Sequence, residues 1–154
     1  MDEQIVFDSS HILHINESAS FESVVNKLSE RLLEKGLVKP EYAENVILRE
    51  QKFPTGLPTL PVGVGIPHTD AKWVNQNSIM VGVLKKPIKM ITMATVDDEI
   101  EVSIIFLLAL GESNKQLNIL QKIMTIIQDQ ELLKGIQTKD VEIVEKIVKE
   151  ALLK

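Results

Sequence analysis

The chain has 154 residues, of which 44% are hydrophobic and 25% are charged, and its formal net charge is −5. This length and composition suit one globular domain, so we expect a single domain over residues 1–154. The interspersed charges argue against a nucleic-acid-binding surface, which is usually a basic patch or stripe. The sequence contains no cysteine, which excludes disulfides and thiolate chemistry within these residues.

The first residues, MDEQIVFD, are acidic and lack the basic and apolar regions of a signal peptide. The longest apolar run, Ile104 to Leu110, is much too short to cross a bilayer. We therefore expect a cytoplasmic protein that meets a membrane only through a partner.

Two histidines, His11 and His14, follow an H-x-x-H spacing that would suit a metal ion if this segment were helical. The apolar residues between and after them instead favour a strand, in which residues three apart face opposite ways. We therefore predict no metal site here.

Two helices are predicted next. Apolar residues recur at helical spacing between residues 21 and 32, and Gly36-Leu37 forms a Schellman-type stop. Pro40 is predicted to begin a second helix that runs to about Glu50. Arg49 lies in its last turn, where a cation usually interacts favourably with the helix C-terminus.

The stretch from Arg49 to Asp70, REQKFPTGLPTLPVGVGIPHTD, contains four of the six prolines and three of the seven glycines. Residues 62–66 are predicted to form a short buried strand, because Pro67 pushes the residue before it toward an extended conformation. His68 then lies where the strand ends. Thr69 and Asp70 are predicted to cap a helical turn whose free N–H groups would favour an anion near the imidazole.

Strands are predicted at 79–84 and 88–91, joined by a connection at Lys85-Lys86-Pro87. A charged turn at 97–99 precedes a strand at 100–110. That strand alternates at first and then becomes continuously apolar, as expected in the centre of a sheet that is covered on both faces.

The remaining residues are predicted to be helical. Ser113 and Gln116 have the S-x-x-Q form of a capping box, a short helical turn spans 129–135, and a last helix begins near residue 140. Strands that alternate with amphipathic helices predict an α/β fold, with a mixed β-sheet flanked by helices on both faces in a three-layer sandwich.

One histidine at a rigid strand end suits several kinds of chemistry, because imidazole can act as a nucleophile, a base or a metal ligand. A zinc site needs three or four ligands, and the HTD run supplies at most two. A Ser-His-Asp triad stays open because its members are often remote in sequence, although no G-x-S-x-G elbow is present. A phosphoryl acceptor needs only the nucleophile, donors for the phosphoryl oxygens, and rigidity.

Three short runs carry a family resemblance: Arg49-Glu50, Thr55-Gly56-Leu57-Pro58 and Gly65-Ile66-Pro67-His68-Thr69-Asp70. At this spacing they resemble the signature of the fructose/mannitol-type (type 2) enzyme IIA domains of the bacterial sugar phosphotransferase system. The galactitol-type members share the PTGLPT and IPHTD motifs, and the resemblance covers nearly the whole chain.

The resemblance implies that the histidine phosphocarrier protein phosphorylates His68, and that His68 passes the group to a cysteine of enzyme IIB. The transported compound would be a galactitol-like sugar or alditol, with membrane contact only through enzyme IIC. It implies no cofactor, metal or nucleic acid. The alternatives are a nitrogen-related regulatory member of the family and, in a different class, a His-dependent hydrolase or metal-binding protein.

The resemblance also implies that Arg49 stabilises the phosphoryl group. Thr55 would donate its hydroxyl to that group or bond the local backbone, and both remain open. Gln116 stands where many members have a second histidine; its amide would bond the imidazole or a phosphoryl oxygen, unless it only completes the capping box. We expect Glu50 to bond the helix end or the loop, and Asp70 to act as a cap.

Overall fold

A computed structural model describes residues 5–93, 97–111 and 113–153 of the protein, without the side chains of 113–117 and 153. The regular elements in chain order are β1 (Ile12–Ile15), α1 (Phe21–Glu34), α2 (Tyr42–Lys52), β2 (Gly56–Leu57), β3 (Gly63–Gly65), β4 (Ser78–Ile91), β5 (Glu99–Ala109), α3 (Ser113–Ile127), α4 (Gln130–Thr138) and α5 (Val141–Leu153). No helix in these ranges is both long enough and apolar enough to cross a bilayer.

The five strands form one mixed sheet in the order β1-β4-β5-β3-β2. β1 runs parallel to β4 and β3 parallel to β5, whereas the β4–β5 and β2–β3 pairs are antiparallel. The predicted α/β fold with a mixed sheet is confirmed.

The central strand β5 explains why its sequence is continuously apolar. Alternate residues of the strand point to opposite faces of the sheet, and each face packs against a different set of helices. On one face, helices α3, α4 and α5 cover Ile104, Phe106 and Leu108 of β5. On the other face, helices α1 and α2 cover Ile105, Leu107 and Ala109. Both faces are therefore covered, as predicted for a three-layer arrangement.

Helix α1 begins and ends as its sequence indicates. Ser20 caps the helix with a capping box. Its hydroxyl accepts from the N–H of Ser23, and the Ser23 hydroxyl accepts from the N–H of Ser20. At the other end Gly36 has φ of 72°, and the N–H of Leu37 donates to the carbonyl of Leu32 at 2.9 Å. This 6→1 bond is the Schellman arrangement that was predicted.

Three element boundaries differ from the predictions. Lys85-Lys86-Pro87, predicted as a connection, lies inside the continuous strand β4. Pairing with β1 ends at Leu84 and the register with β5 shifts between Val83 and Ile88, so Pro87 removes no ladder bond.

Helix α2 begins two residues after Pro40. Helix α4 continues through Gly135 to Thr138.

The two histidines near the N-terminus have different environments. His11 closes a short 3-10 helix, Ser9–His11, and is fully buried, with its Nδ1 2.8 Å from the carbonyl oxygen of Ile79. His14 lies in β1 and is exposed. Burial lowers the pKa of His11, because desolvation disfavours the charged ring.

Tyr42 attaches α2 to the sheet. Its side chain is fully buried, and its hydroxyl donates to the carbonyl of Leu108 at 2.6 Å. Replacing Tyr42→Phe is expected to lower the free energy of unfolding by about 1–3 kcal/mol, because a buried carbonyl loses its hydroxyl donor. Urea unfolding with an unchanged m-value measures this loss; equal midpoints for the two proteins would contradict it.

Candidate functional site

The chain that leads to His68 is fixed by its contacts with β4 and β5. A Cβ at Gly63 would collide with the backbone carbonyl oxygen of Glu101, and one at Gly65 would lie 2.6 Å from Sδ of Met90. Glycine at these two positions therefore lets β3 approach its neighbours closely. After β3, the carbonyl of Pro67 accepts from the N–H of Leu108 at 3.1 Å. His68 follows directly, held near the carboxyl end of a strand.

The imidazole of His68 is oriented by a backbone carbonyl. Its Nδ1 lies 2.8 Å from the carbonyl oxygen of Ile66. A carbonyl oxygen can only accept, so Nδ1 carries the proton in the neutral ring and Nε2 keeps its lone pair. Nε2 is therefore the ring nitrogen whose lone pair is available to accept a bond.

The environment of His68 favours the neutral ring. The side chain is half-buried, and desolvation lowers the pKa of His68 below its usual 6.5. The hydrogen bond to Ile66 opposes this shift, and the positive charge of Arg49 adds to it. At neutral pH the ring is thus largely unprotonated and available as a nucleophile.

We expect the titration midpoint of His68 to lie below 6.5 for the reasons just given. The ring then stays neutral as the pH falls through 6.5 and becomes protonated only at lower pH. NMR titration of the ring signals in labelled protein measures this midpoint, and the His68→Gln variant assigns the signals by their loss. A midpoint at or above 6.5 would contradict the expectation.

Arg49 lies close enough to His68 for its positive charge to lower the pKa of the ring. Its Nη1 lies 3.7 Å from Oδ1 of Asp70, and its guanidinium carbon lies 5.2 Å from the ring centroid of Phe53. Its Nε is buried and has no hydrogen-bond partner among the residues that the structure describes. A buried donor of this kind is costly to leave unpaired, so Arg49 is suited to receive an anion.

Thr55 and Glu50 are bonded to each other. The backbone N–H and the hydroxyl of Thr55 donate to the two carboxylate oxygens of Glu50, each at 2.8 Å. Thr55 is buried, and its hydroxyl also accepts from the N–H of Ile66 at 3.3 Å. The loop-bonding role predicted for Glu50 is confirmed. The only proton of the Thr55 hydroxyl is committed to Glu50, which matches the local-bonding alternative; a contact with a phosphoryl group stays a prediction.

Two other predicted residues have different outcomes. Asp70 occupies the N-cap position of the 3-10 helix Ala71–Trp73, but its side chain makes no capping bond and instead pairs with Arg49. The predicted capping bond is therefore wrong. Gln116 falls in the first turn of α3, where its side chain lies outside the described residues, and its role stays a prediction.

The structure brings Arg49 and the residues that follow His68 into one shallow depression. The depression has a volume of about 260 Å³ and is lined by Asn45, Leu48, Arg49, Lys52, Phe53, Thr69 and Asp70. Two of these residues are cations and two are large apolar side chains. Sequence reasoning missed Phe53, which lies four residues after Arg49 at the C-cap position of α2. It also missed the carbonyl of Ile66, for which a sequence carries no signal.

Comparison with known proteins identifies the family. Residues 5–151 match the family described as phosphoenolpyruvate-dependent sugar phosphotransferase system, EIIA 2. The chain is 29% identical over 92 residues to the transcriptional regulator ManR of Bacillus subtilis (strain 168), a stretch that spans 60% of this chain and 13% of the regulator. It is 28% identical over 93 residues to the galactitol-specific EIIA component of Escherichia coli (strain K12), spanning 60% of each protein. The match thus covers less than two-thirds of either relative.

A solved structure shares the fold over nearly the full chain. The complex of enzyme IIA mannitol with phosphorylated enzyme IIB mannitol from Escherichia coli superposes with a TM-score of 0.77 at 16% identity, covering 96% of this chain and 99% of that chain. Such low identity supports the fold alone. Because the family match spans residues 5–151 of 154, this protein belongs to the EIIA 2 family of the phosphoenolpyruvate-dependent sugar phosphotransferase system.

Proposed function

We propose that this protein is a cytoplasmic phosphohistidine carrier. His68 accepts a phosphoryl group from the phosphohistidine of the histidine phosphocarrier protein and passes it to a cysteine of enzyme IIB. The observation that carries the proposal is the hydrogen bond from Nδ1 of His68 to the carbonyl of Ile66. It leaves the Nε2 lone pair available, and the nearby Arg49, whose charge acts on the ring, has a buried Nε donor without a partner among the described residues.

The transfer follows from this geometry. The lone pair of Nε2 attacks phosphorus in line, an N–P bond forms, and the electron pair of the donor's N–P bond stays on the donor's nitrogen. Positive charge develops on the His68 ring during the attack, and the carbonyl of Ile66 stabilises the Nδ1–H. Arg49 exchanges its long contact with Asp70 for the equatorial phosphoryl oxygens.

Exposed apolar side chains beside the site suit a transient protein interface. Leu48 is 49% exposed and Phe53 is 60% exposed, and both line the same depression as Arg49. A carrier must meet two proteins in turn, which requires a modest interface that dissociates. An apolar surface beside Arg49 and the residues that follow His68 is consistent with such an exchange.

The proposed substrate is a galactitol-like sugar or alditol, taken up through enzyme IIC. The likeness to the galactitol-specific component over 93 residues supports this choice. The likeness to ManR supports a second candidate, a regulatory role in which phosphorylation of His68 controls binding and no group is passed on. Both candidates use the same acceptor nitrogen.

One experiment tests the carrier and separates the two candidates. The protein is incubated with labelled phosphoenolpyruvate, enzyme I and the histidine phosphocarrier protein, and the acid-labile label is mapped. A galactitol-type enzyme IIB is then added. Label on His68 that moves to the IIB cysteine is the expected result. Label that stays on His68 would favour regulation, and the absence of any label would overturn both.

A further inference from the structure

The carboxylate of Glu50 has no part in the transfer described above, yet a chain of hydrogen bonds connects it with His68. We propose that Glu50 is a positioning residue. Through Thr55 and Ile66 it holds the His68 imidazole with its proton on Nδ1 and its lone pair on Nε2. The effect on transfer rests on the proposed function, whereas the effect on the ring does not.

Four hydrogen bonds connect Glu50 with His68. Thr55 donates to Glu50 twice, from its N–H to Oε2 and from its hydroxyl to Oε1, each at 2.8 Å. The N–H of Ile66 donates to the Thr55 hydroxyl oxygen at 3.3 Å. Nδ1 of His68 donates to the carbonyl of Ile66 at 2.8 Å. The two ends of Ile66 are thus bound to Thr55 and to His68.

The carboxylate sets the direction of these bonds. An ionised carboxylate only accepts, whereas a threonine hydroxyl rotates to suit its neighbours. With its proton drawn to Glu50, the Thr55 hydroxyl must present a lone pair to the N–H of Ile66. A neutral amide at position 50 would bring N–H donors against those of Thr55 and weaken this order.

Ile66 needs such a partner because of its place in the chain. β3 ends at Gly65, and Pro67 has no N–H, so the N–H of Ile66 is the last backbone donor before His68. Thr55 directly precedes Gly56, which pairs with Gly65 in the β2–β3 ladder. The Thr55 side chain therefore continues that pairing by one more bond and fixes the peptide that holds the imidazole.

The environment of Glu50 agrees with a role beyond stability. Burial raises the pKa of Glu50, and the two hydrogen bonds from Thr55 oppose that shift. Placing a carboxylate away from water costs free energy, which those bonds offset only in part. An uncharged hydrogen-bonding residue would hold the loop at less cost, but it would not impose a direction on the hydroxyl.

The test measures the ring before any phosphoryl group is present. Full-length protein with 15N-labelled histidine is examined by NMR as wild type, Glu50→Gln, Thr55→Val and Thr55→Ser, with Glu34→Gln as a control for the same charge change on an exposed residue of α1. We expect wild type, Thr55→Ser and Glu34→Gln to hold the neutral ring with Nδ1 protonated. We expect Glu50→Gln and Thr55→Val to show a share of the Nε2-protonated ring.

Phosphoryl transfer to the same proteins gives the second readout. We expect kcat to fall about 10- to 100-fold in Glu50→Gln and Thr55→Val with KM little changed, because misplaced reacting groups lose rate more than affinity. The double variant is expected to have a kcat no lower than that of the less active single variant, since both changes break one network. Glu34→Gln is expected to transfer at close to the wild-type rate, because Glu34 is exposed on α1.

Each contrary outcome has a distinct meaning. An unchanged ring in both Glu50→Gln and Thr55→Val would overturn the proposal, even if Thr55→Val slowed transfer, since that result would assign Thr55 to the phosphoryl group directly. Independent losses that add in the double variant would overturn it too. An altered ring in the variants together with no transfer to wild type would support the positioning role and overturn only the carrier function.

Discussion

Replacing His68→Gln is expected to abolish phosphoryl acceptance, because neither of the other two histidines in the sequence lies near the site. The sequence has no cysteine, and His11 is fully buried with its Nδ1 held by a backbone carbonyl. His14 lies in β1, which is separated from β3 by two strands. That is three interstrand spacings, or about 14 Å.

Label from phosphoenolpyruvate, passed through enzyme I and the histidine phosphocarrier protein, measures this acceptance. His14→Gln is the matched control, since it removes an exposed histidine and should be labelled like wild type. Glutamine at position 68 keeps an amide of similar reach but no nucleophilic nitrogen, so the fold should persist by circular dichroism. Acid-labile label on a folded His68→Gln protein would contradict the assignment.

The long elements of the fold followed from sequence periodicity because their burial is regular. β5 shows a continuous apolar run since both of its faces are covered. β4 was predicted in two pieces because Lys85-Lys86-Pro87 resembles a connection. Here the strand has lost its β1 neighbour and its register with β5 shifts, so exposed lysines and a proline are tolerated. Such tolerance depends on neighbouring strands, which a local pattern does not contain.

The parts of the site divide in the same way. The place of His68 at the end of β3 followed from Pro67 and the glycines, which act locally. The approach of Arg49 to His68 came only from the family resemblance, because eighteen residues, which include two short strands and their turns, separate the two along the chain. The proton on Nδ1 depends on the carbonyl of Ile66, and a backbone group leaves no mark in a sequence. Residue types predicted the chemistry, and the tertiary contacts set its orientation.

Replacing Arg49→Met is expected to lower the rate of phosphoryl transfer by about 100- to 1000-fold, the usual cost of removing one donor that stabilises charge in the transition state. Arg49→Lys is expected to lie between this variant and wild type. Lysine keeps the charge but loses the planar fork that binds two oxygens together. Single-turnover labelling with excess phosphorylated donor measures these rates.

A second readout tells lost oxygen contacts from a displaced ring. The charge of Arg49 contributes to lowering the pKa of His68, so Arg49→Met is expected to raise the titration midpoint of that ring, whereas Arg49→Lys is expected to change it less. Arg31→Met is the matched control, because it removes an arginine far from His68. The Arg31 guanidinium donates to the carbonyl of Ser10, near the edge of the sheet that β1 forms. A wild-type rate in Arg49→Met would remove Arg49 from the mechanism. A slow Arg49→Met with the ring in its Nδ1-protonated form would assign the loss to the phosphoryl oxygens.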